Sequence, residues 1–183
     1  FAATLGLGGV LILTYFATPM AALMGIAGHA FYVVIYTMWL KRRTPQNIVI
    51  GGAAGAVSAL ISWAAVTGEL SAPAWLIFAL IFLWTPPHFW ALALYKDVEY
   101  GKADVPMMPV VRGHYTTKFQ MLIYTMLLVG CTTLLAVVGV MGIIYLVASI
   151  LLGAGFAYFC IRVAFAQEQQ TERWARRTFA YSI

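Results

Sequence analysis

Residues 84–113 read WTPPHFWALALYKDVEYGKADVPMMPVVRG, and this stretch decides how the rest of the chain is interpreted. It starts as an apolar helix that is predicted to break at Pro86-Pro87, since proline removes a helical hydrogen bond, and to resume at His88. It then enters a polar loop, residues 96–115, in which carboxylates and cations alternate. Clustered charge of both signs in so apolar a chain predicts a binding site for an anionic ligand.

The composition is that of a membrane protein. Of the 183 residues, 63% are hydrophobic and only 9% are charged, whereas a soluble domain averages about 25% charged residues. We therefore assign the net charge of +5 to loops on the cytoplasmic side and not to nucleic-acid binding. Because the chain begins with Phe1 and ends in apolar sequence at Ile183, we expect it to be a piece of a longer protein.

Apolar segments of about 20 residues predict a single all-α domain, residues 1–183, built as a polytopic transmembrane bundle of about six spans. All 11 Lys and Arg residues fall at 41–43, 96–118 and 162–177, so those segments are predicted to share the cytoplasmic side. The predicted spans are residues 2–17, 20–40, 47–67, 73–95, 116–138 and 142–165, followed by an amphipathic tail, 167–177, and a further span from Thr178.

Three carboxylates of the polar loop are candidate metal ligands. Asp97, Glu99 and Asp104 make up half of the six acidic residues of the chain. Carboxylate oxygens together with substrate phosphates are the usual ligands of Mg²⁺, so the loop is a candidate Mg²⁺-diphosphate site. The alternative is an ordinary solvated loop. His114 is predicted to be a solvated loop residue.

Cations near these carboxylates are candidates for neutralising a diphosphate. Lys96, Lys102 and Arg112 lie in the polar loop itself. Residues 41–43, Lys-Arg-Arg, belong to another connection on the same predicted side, so the two segments could share one diphosphate. The alternative for the basic run is a topology determinant that contacts anionic lipid headgroups.

His88 is a candidate because ionisable groups at membrane depth are frequently functional. The alternative is a histidine that hydrogen-bonds to carbonyls freed by the two prolines. Aromatic residues around it are typical of interfacial belts and packing, although a prenyl chain would also need an apolar, aromatic channel. This set comprises Trp75, Trp84, Phe89, Trp90 and Tyr95.

Two motifs carry a family resemblance. The run TPPHFWALALYK, followed by EY and VPMMPVVRG, and the upstream segment YTMWLKRRTPQNIVIGGAAGA with WAAVTG, resemble the protohaem IX farnesyltransferase (haem O synthase) family. That family belongs to the intramembrane UbiA-type prenyltransferase superfamily. The resemblance covers residues 20–183 and implies a nine-helix bundle, of which this chain would supply the third to eighth spans and the start of the ninth.

The resemblance also implies roles for individual residues. Glu99 stands where the family has the aspartate before the tyrosine, here Tyr100, and with Asp97 these form the implied catalytic set. Lys96 matches the basic residue of the same motif. A first acidic motif, which completes the metal site in the family, is expected upstream of these residues.

The remaining motif residues match with some departures. Lys41 and Arg42 match the basic loop on the diphosphate side, and His88 matches the histidine of TPPH, which implies a haem contact. Asp104 replaces a usual glycine, and Ser58-Ala59 replaces a usual Pro-Pro. Together with Glu99 for aspartate, these departures bear on the metal geometry.

The implied activity is transfer of a farnesyl group from farnesyl diphosphate to a vinyl group of haem b, with Mg²⁺ as the cofactor. The product would be haem O, for haem-copper oxidases, made in the inner (cytoplasmic) membrane. Implied partners are farnesyl diphosphate, haem b, the lipid bilayer and haem A synthase or oxidase assembly proteins. Two alternatives remain: a prenyltransferase for an aromatic or quinone precursor, and a non-catalytic haem carrier or transporter.

Overall fold

The computed structural model describes residues 2–183, and every regular element among them is a helix. The prediction of an all-α fold is therefore confirmed. The elements are α1 (Ala2–Phe16), α2 (Pro19–Ala30) with a π-helical continuation (Phe31–Leu40), α3 (Asn47–Thr67), α4 (Ala72–Tyr95), α5 (Asp97–Lys102), α6 (Met108–Val137), α7 (Ile143–Ala164) and α8 (Glu168–Tyr181).

Within residues 2–183, five helices are long and apolar enough to cross a membrane, and α1 is shorter. Large apolar side chains on them face outward, for example Phe16 at 86% and Ile144 at 84% exposed. Such surface is stable only in contact with lipid or further helices. This is a multi-pass membrane protein. The five candidate spans are Pro19–Leu40, Asn47–Thr67, Ala72–Tyr95, Met108–Val137 and Ile143–Ala164.

The helix α4 is the centre of the bundle, because it packs against α3, α6 and α8. Most residues of its last three turns are buried: Trp90 is fully covered, and Leu94 is 2% exposed. Met121 of α6 and Phe156 of α7 join the same apolar core. The tightest packing therefore lies toward the end of α4 that leads into the polar segment.

The predicted break at Pro86-Pro87 is wrong, because α4 runs from Ala72 to Tyr95 as one helix with both prolines inside it. Proline has a helical φ, and its cost is the lost hydrogen bond and the clash with the preceding turn. Both prolines are buried against the bundle, so tertiary packing offsets that cost.

The predicted loop at residues 96–115 is also wrong, because most of it is helical. The short helix α5 starts only two residues after Tyr95, and α6 starts at Met108 with Pro109 in its first turn. Proline is favoured at that position, since its missing N–H would have no helical partner. A break remains at Gly113 (φ 80°, ψ 167°), inside the predicted loop.

The predicted amphipathic tail and the predicted start of a further span form one helix, α8. It runs back along α7, with which it packs. The Tyr181 hydroxyl donates to the carbonyl of Leu152 over 3.1 Å, and Thr178 is fully buried. The second half of α8 therefore packs with one face on the bundle, beside the middle of α7.

Candidate functional site

The basic connections meet at one end of the bundle. Ile48 at the start of α3, Ala93 near the end of α4 and Met107 before α6 form a buried apolar cluster, on which Tyr100 of α5 packs. The α5 segment, which contains Asp97 and Glu99, thus packs on the end of the bundle where α3 begins and α4 ends.

Asp97 is held within the protein. One carboxylate oxygen accepts from the Val98 N–H over 2.7 Å, and the other lies 2.9 Å from Nε2 of His114. The other nitrogen of His114, Nδ1, lies 3.4 Å from a carboxylate oxygen of Glu168 at the start of α8. The prediction of a solvated His114 is wrong, because this half-buried imidazole bridges α5 and α8.

Glu99 and Asp104 point elsewhere. Glu99 pairs with Lys96 over 2.6 Å, and both side chains are exposed, so the pair contributes little, about 0–1 kcal/mol. Asp104 is exposed and occupies the left-handed region (φ 51°). Across residues 2–183 no three Asp, Glu, His or Cys side chains gather closely enough to hold a metal ion. The three carboxylates therefore do not form a metal site by themselves.

The predicted diphosphate-binding cations lie on two sides of this end. Lys41 and Arg42 are exposed in the turn before α3 and form no ion pair with another described residue. Lys102 and Arg112 are also exposed and unpaired by the described residues, whereas Lys96 is engaged by Glu99. Lys41, Arg42, Lys102 and Arg112 are therefore available to an anion without the loss of an ion pair among the described residues.

The start of α3 lacks partners for several polar groups. No side chain caps this helix of 21 residues, and none of the described residues accepts from the Ile48 or Val49 N–H. Asn47 is 1% exposed; its amide donates to the Lys41 carbonyl over 3.1 Å, while its own Oδ1 has no partner within the described chain. Free N–H groups at a helix start attract anions.

An apolar groove of about 440 Å³ begins beside this helix start and lies between the π-helical segment, α3 and α4. From Ile48 to Gly55 it follows α3 for about 10 Å. Its walls are mostly apolar and aromatic, as a prenyl chain would require. The lining residues are Tyr32, Tyr36, Ile48, Gly51, Gly52, Gly55, Ile81, Trp84, Thr85 and Phe89.

The glycines of α3 give the groove its shape. A Cβ at Gly51 would overlap the ring of Tyr36, and a Cβ at Gly52 would lie 3.0 Å from a carbon of Thr85, so both glycines permit close packing. A Cβ at Gly55 would meet nothing within 4 Å. Gly55 therefore borders open space in the groove.

Tyr100 links the two parts of this end. Its ring packs on the apolar cluster at the start of α3. Burial raises the pKa of its phenol above 10.0. Tyr95 and Glu99 raise this pKa further by smaller amounts, and Lys96 lowers it. The phenol is thus a neutral hydrogen-bond donor at physiological pH.

His88 lies behind the groove wall and not in it. Its imidazole stacks on the rings of Trp84 and Phe179, with ring centres 4.3 Å and 4.7 Å apart. Its Nδ1 lies 2.7 Å from the Ser182 hydroxyl oxygen. Because that hydroxyl donates to the Phe179 carbonyl over 2.6 Å, it accepts from Nδ1–H, which leaves the lone pair on Nε2.

Sequence reasoning missed Asn47 and His114. The sequence predicted Asn47 only as part of a helix start and His114 only as a loop residue. In the structure Asn47 contacts the Lys41 carbonyl and His114 contacts the Asp97 carboxylate, and both partners are predicted site residues. The sequence signal for Asn47 was weak but present, since Asn at a helix start after a basic run is a capping type. Nothing in the sequence indicated that His114 would meet Asp97 and Glu168.

Comparison with known proteins agrees with this architecture. A model of the UbiA prenyltransferase family matches residues 1–183. Proteins called protoheme IX farnesyltransferase are similar over the whole chain: the one from Gloeobacter violaceus is 51% identical over 183 residues, and the one from Nostoc sp. is 50% identical over 184 residues. One from Alcanivorax borkumensis is 45% identical over 183 residues.

The chain covers 59%, 57% and 59% of those three relatives, so it spans about three-fifths of their length. No solved structure matches it. The family that the two sequence motifs indicated is thus confirmed. From a match over its whole length and from its bundle of membrane helices, we conclude that this chain belongs to the UbiA prenyltransferase family.

Proposed function

We propose that this chain is part of an enzyme that transfers a farnesyl group from farnesyl diphosphate to a vinyl group of haem b, giving haem O. The observation that carries the proposal is the groove beside α3, which is mostly apolar and begins at a helix start that no described side chain caps, near the exposed cations Lys41 and Arg42. A prenyl diphosphate has the same arrangement of an apolar chain and an anionic end. The names of the relatives support farnesyl as the prenyl group and haem as the acceptor.

The diphosphate would bind at the start of α3. Lys41 and Arg42 would neutralise its charge, and the helix dipole with the free N–H groups of Ile48 and Val49 would add to the attraction. When the C1–O bond of the farnesyl group breaks, the diphosphate leaves with the electron pair and its negative charge increases. Fixed positive groups at that point stabilise the transition state.

The groove would hold the farnesyl chain and keep water from the allylic cation. Attack by the vinyl group forms the new C–C bond at C1, and addition of water to the resulting cation, with loss of a proton, gives the hydroxyethyl product. His88 is proposed as a haem contact through Nε2, since Nδ1 is already bonded to Ser182.

Mg²⁺ stays a proposal for the whole protein. Asp97, Glu99 and Asp104 diverge, so further ligands would have to come from the diphosphate and from acidic groups outside these residues. The exposed Lys96–Glu99 pair is weak enough to open, which would let Lys96 turn to the diphosphate and free Glu99. We also propose that the enzyme lies in the inner membrane with its basic end facing the cytoplasm. Its protein partners would be haem A synthase or oxidase assembly proteins.

The test incubates the purified whole protein in lipid nanodiscs with farnesyl diphosphate and either haem b or 4-hydroxybenzoate. Mass spectrometry of the products and release of diphosphate are the measurements. We expect a farnesylated haem and equimolar diphosphate only with haem b. Prenylated 4-hydroxybenzoate would identify a prenyltransferase for aromatic acids, and haem binding without diphosphate release would identify a carrier; either result would contradict the proposal.

A further inference from the structure

A second cluster of cations lies away from the groove, between the last turn of α7 and the second half of α8. The guanidinium carbons of Arg162 and Arg177 lie 4.2 and 5.0 Å from the centre of the Trp174 ring. The two charges are therefore no farther apart than the sum of those distances. Cation–π contact with one indole holds both in place.

None of the described acidic groups neutralises these two arginines. Glu172 is taken by Arg176 over 2.8 Å, and Glu168 lies against His114. A third arginine, Arg173, is exposed and precedes Arg177 by one helical turn, a spacing at which like charges repel. The cluster thus concentrates positive charge, and a bound anion would reduce the repulsion between the arginines.

The surface below the cluster is apolar and open. Ile161 is 45% and Tyr158 50% exposed, and both lie on one face of α7 beside Arg162; Phe165, the residue that follows α7, is 82% exposed. Indole rings favour the headgroup level of a bilayer. The arrangement therefore offers charge at headgroup depth and an apolar wall where acyl chains would lie.

We propose that Arg162, Trp174 and Arg177 form a binding site for one anionic phospholipid, whose phosphate contacts the two guanidinium groups and whose acyl chains lie along α7. Arginine presents a planar fork of donors that matches a phosphate group. The site is separate from the groove, which is formed by α3, α4 and the π-helical segment. A lipid there would hold α8 to α7 and so support the position of Ser182 at the end of α8.

The test is a titration of the purified whole protein with phosphatidylglycerol or phosphatidylcholine, with bound lipid counted by native mass spectrometry. Arg162→Gln is expected to weaken binding of phosphatidylglycerol about fivefold, the effect of one cation at a membrane surface. The matched control is Arg43→Gln, which removes one exposed charge from the same end of the bundle. Binding of phosphatidylcholine should be the same in all three proteins.

Two results would overturn the proposal. Equal weakening by Arg162→Gln and Arg43→Gln would mean that only general surface charge attracts the lipid. Displacement of phosphatidylglycerol by excess inorganic phosphate would mean that the cluster binds a free anion and not a lipid. If Arg162→Gln does not insert into membranes, Arg177→Gln makes the same comparison with the other arginine of the pair.

Discussion

The start of α3 and the α5 segment lie at the same end of the bundle, yet they differ in whether their polar groups have partners within the protein. In α5 the carboxylates have partners within the protein: Asp97 has His114 and Val98, and Glu99 has Lys96. At the start of α3, two N–H groups and one buried amide oxygen have none among the described residues.

The most conspicuous charge in a sequence is therefore not always the charge that is most available to a ligand. Buried polar groups without partners cost free energy, so a structure that keeps them gains when a ligand supplies the partner. Both regions take part in the proposed reaction, but the start of α3 is prepared for an anion and α5 must first open.

The first prediction compares two double substitutions that each remove two cations. Lys41→Gln with Arg42→Gln should lower kcat/KM for farnesyl diphosphate by about 10²- to 10⁴-fold, since each charged hydrogen bond is worth about 1.5–3 kcal/mol. Lys102→Gln with Arg112→Gln should lower it by less than about tenfold. Equal losses in steady-state assays would remove the distinction between the two regions.

The second prediction concerns Glu99. Glu99→Gln should reduce product about 100-fold, as for groups that fix a metal–ligand assembly, whereas Glu99→Asp should keep most activity at a changed Mg²⁺ requirement. The control is Glu172→Gln, which breaks another exposed pair on a helix and should change turnover less than twofold. Near-normal turnover of Glu99→Gln at equal expression would refute a role in catalysis.

The third prediction fills the groove. Gly55→Leu places a side chain in open space, so it should leave folding intact and lower farnesyl transfer about 10- to 100-fold. A shorter allylic diphosphate, geranyl diphosphate, should be affected less. Gly130→Leu is the matched control, because Gly130 is exposed on α6 and a Cβ there also meets nothing within 4 Å. If both variants kept full activity, the farnesyl chain of the substrate would not bind in this groove.

The fourth prediction concerns Tyr100, which joins the two regions. Tyr100→Phe should lower kcat/KM only about two- to tenfold, the effect of one neutral hydrogen bond. Burial raises its pKa, so in an ultraviolet titration the phenolate signal lost in the variant should appear above pH 10.0. A signal at lower pH would show that Tyr100 is solvated and does not pack on α3.

Some of the fold could be predicted because it depends on local pattern. The spans follow from the length of the apolar segments, and the sequence motifs around residues 41–55 and 84–113 were enough for the family. The errors fell where tertiary contacts override local preference: the buried Pro86-Pro87 pair stays helical, and the polar segment after Tyr95 folds into α5 and the start of α6.

Hydropathy and charge are properties of single segments, so the sequence was enough to identify a basic, multi-pass helical membrane protein and to predict which residue types would bind a diphosphate. Which of those groups are free and which are paired depends on tertiary contacts. His114 meets Asp97 across 17 positions and Ser182 meets His88 across 94, and no local pattern encodes either distance. The groove arises in the same way, since its walls come from three segments that touch only when the bundle is packed.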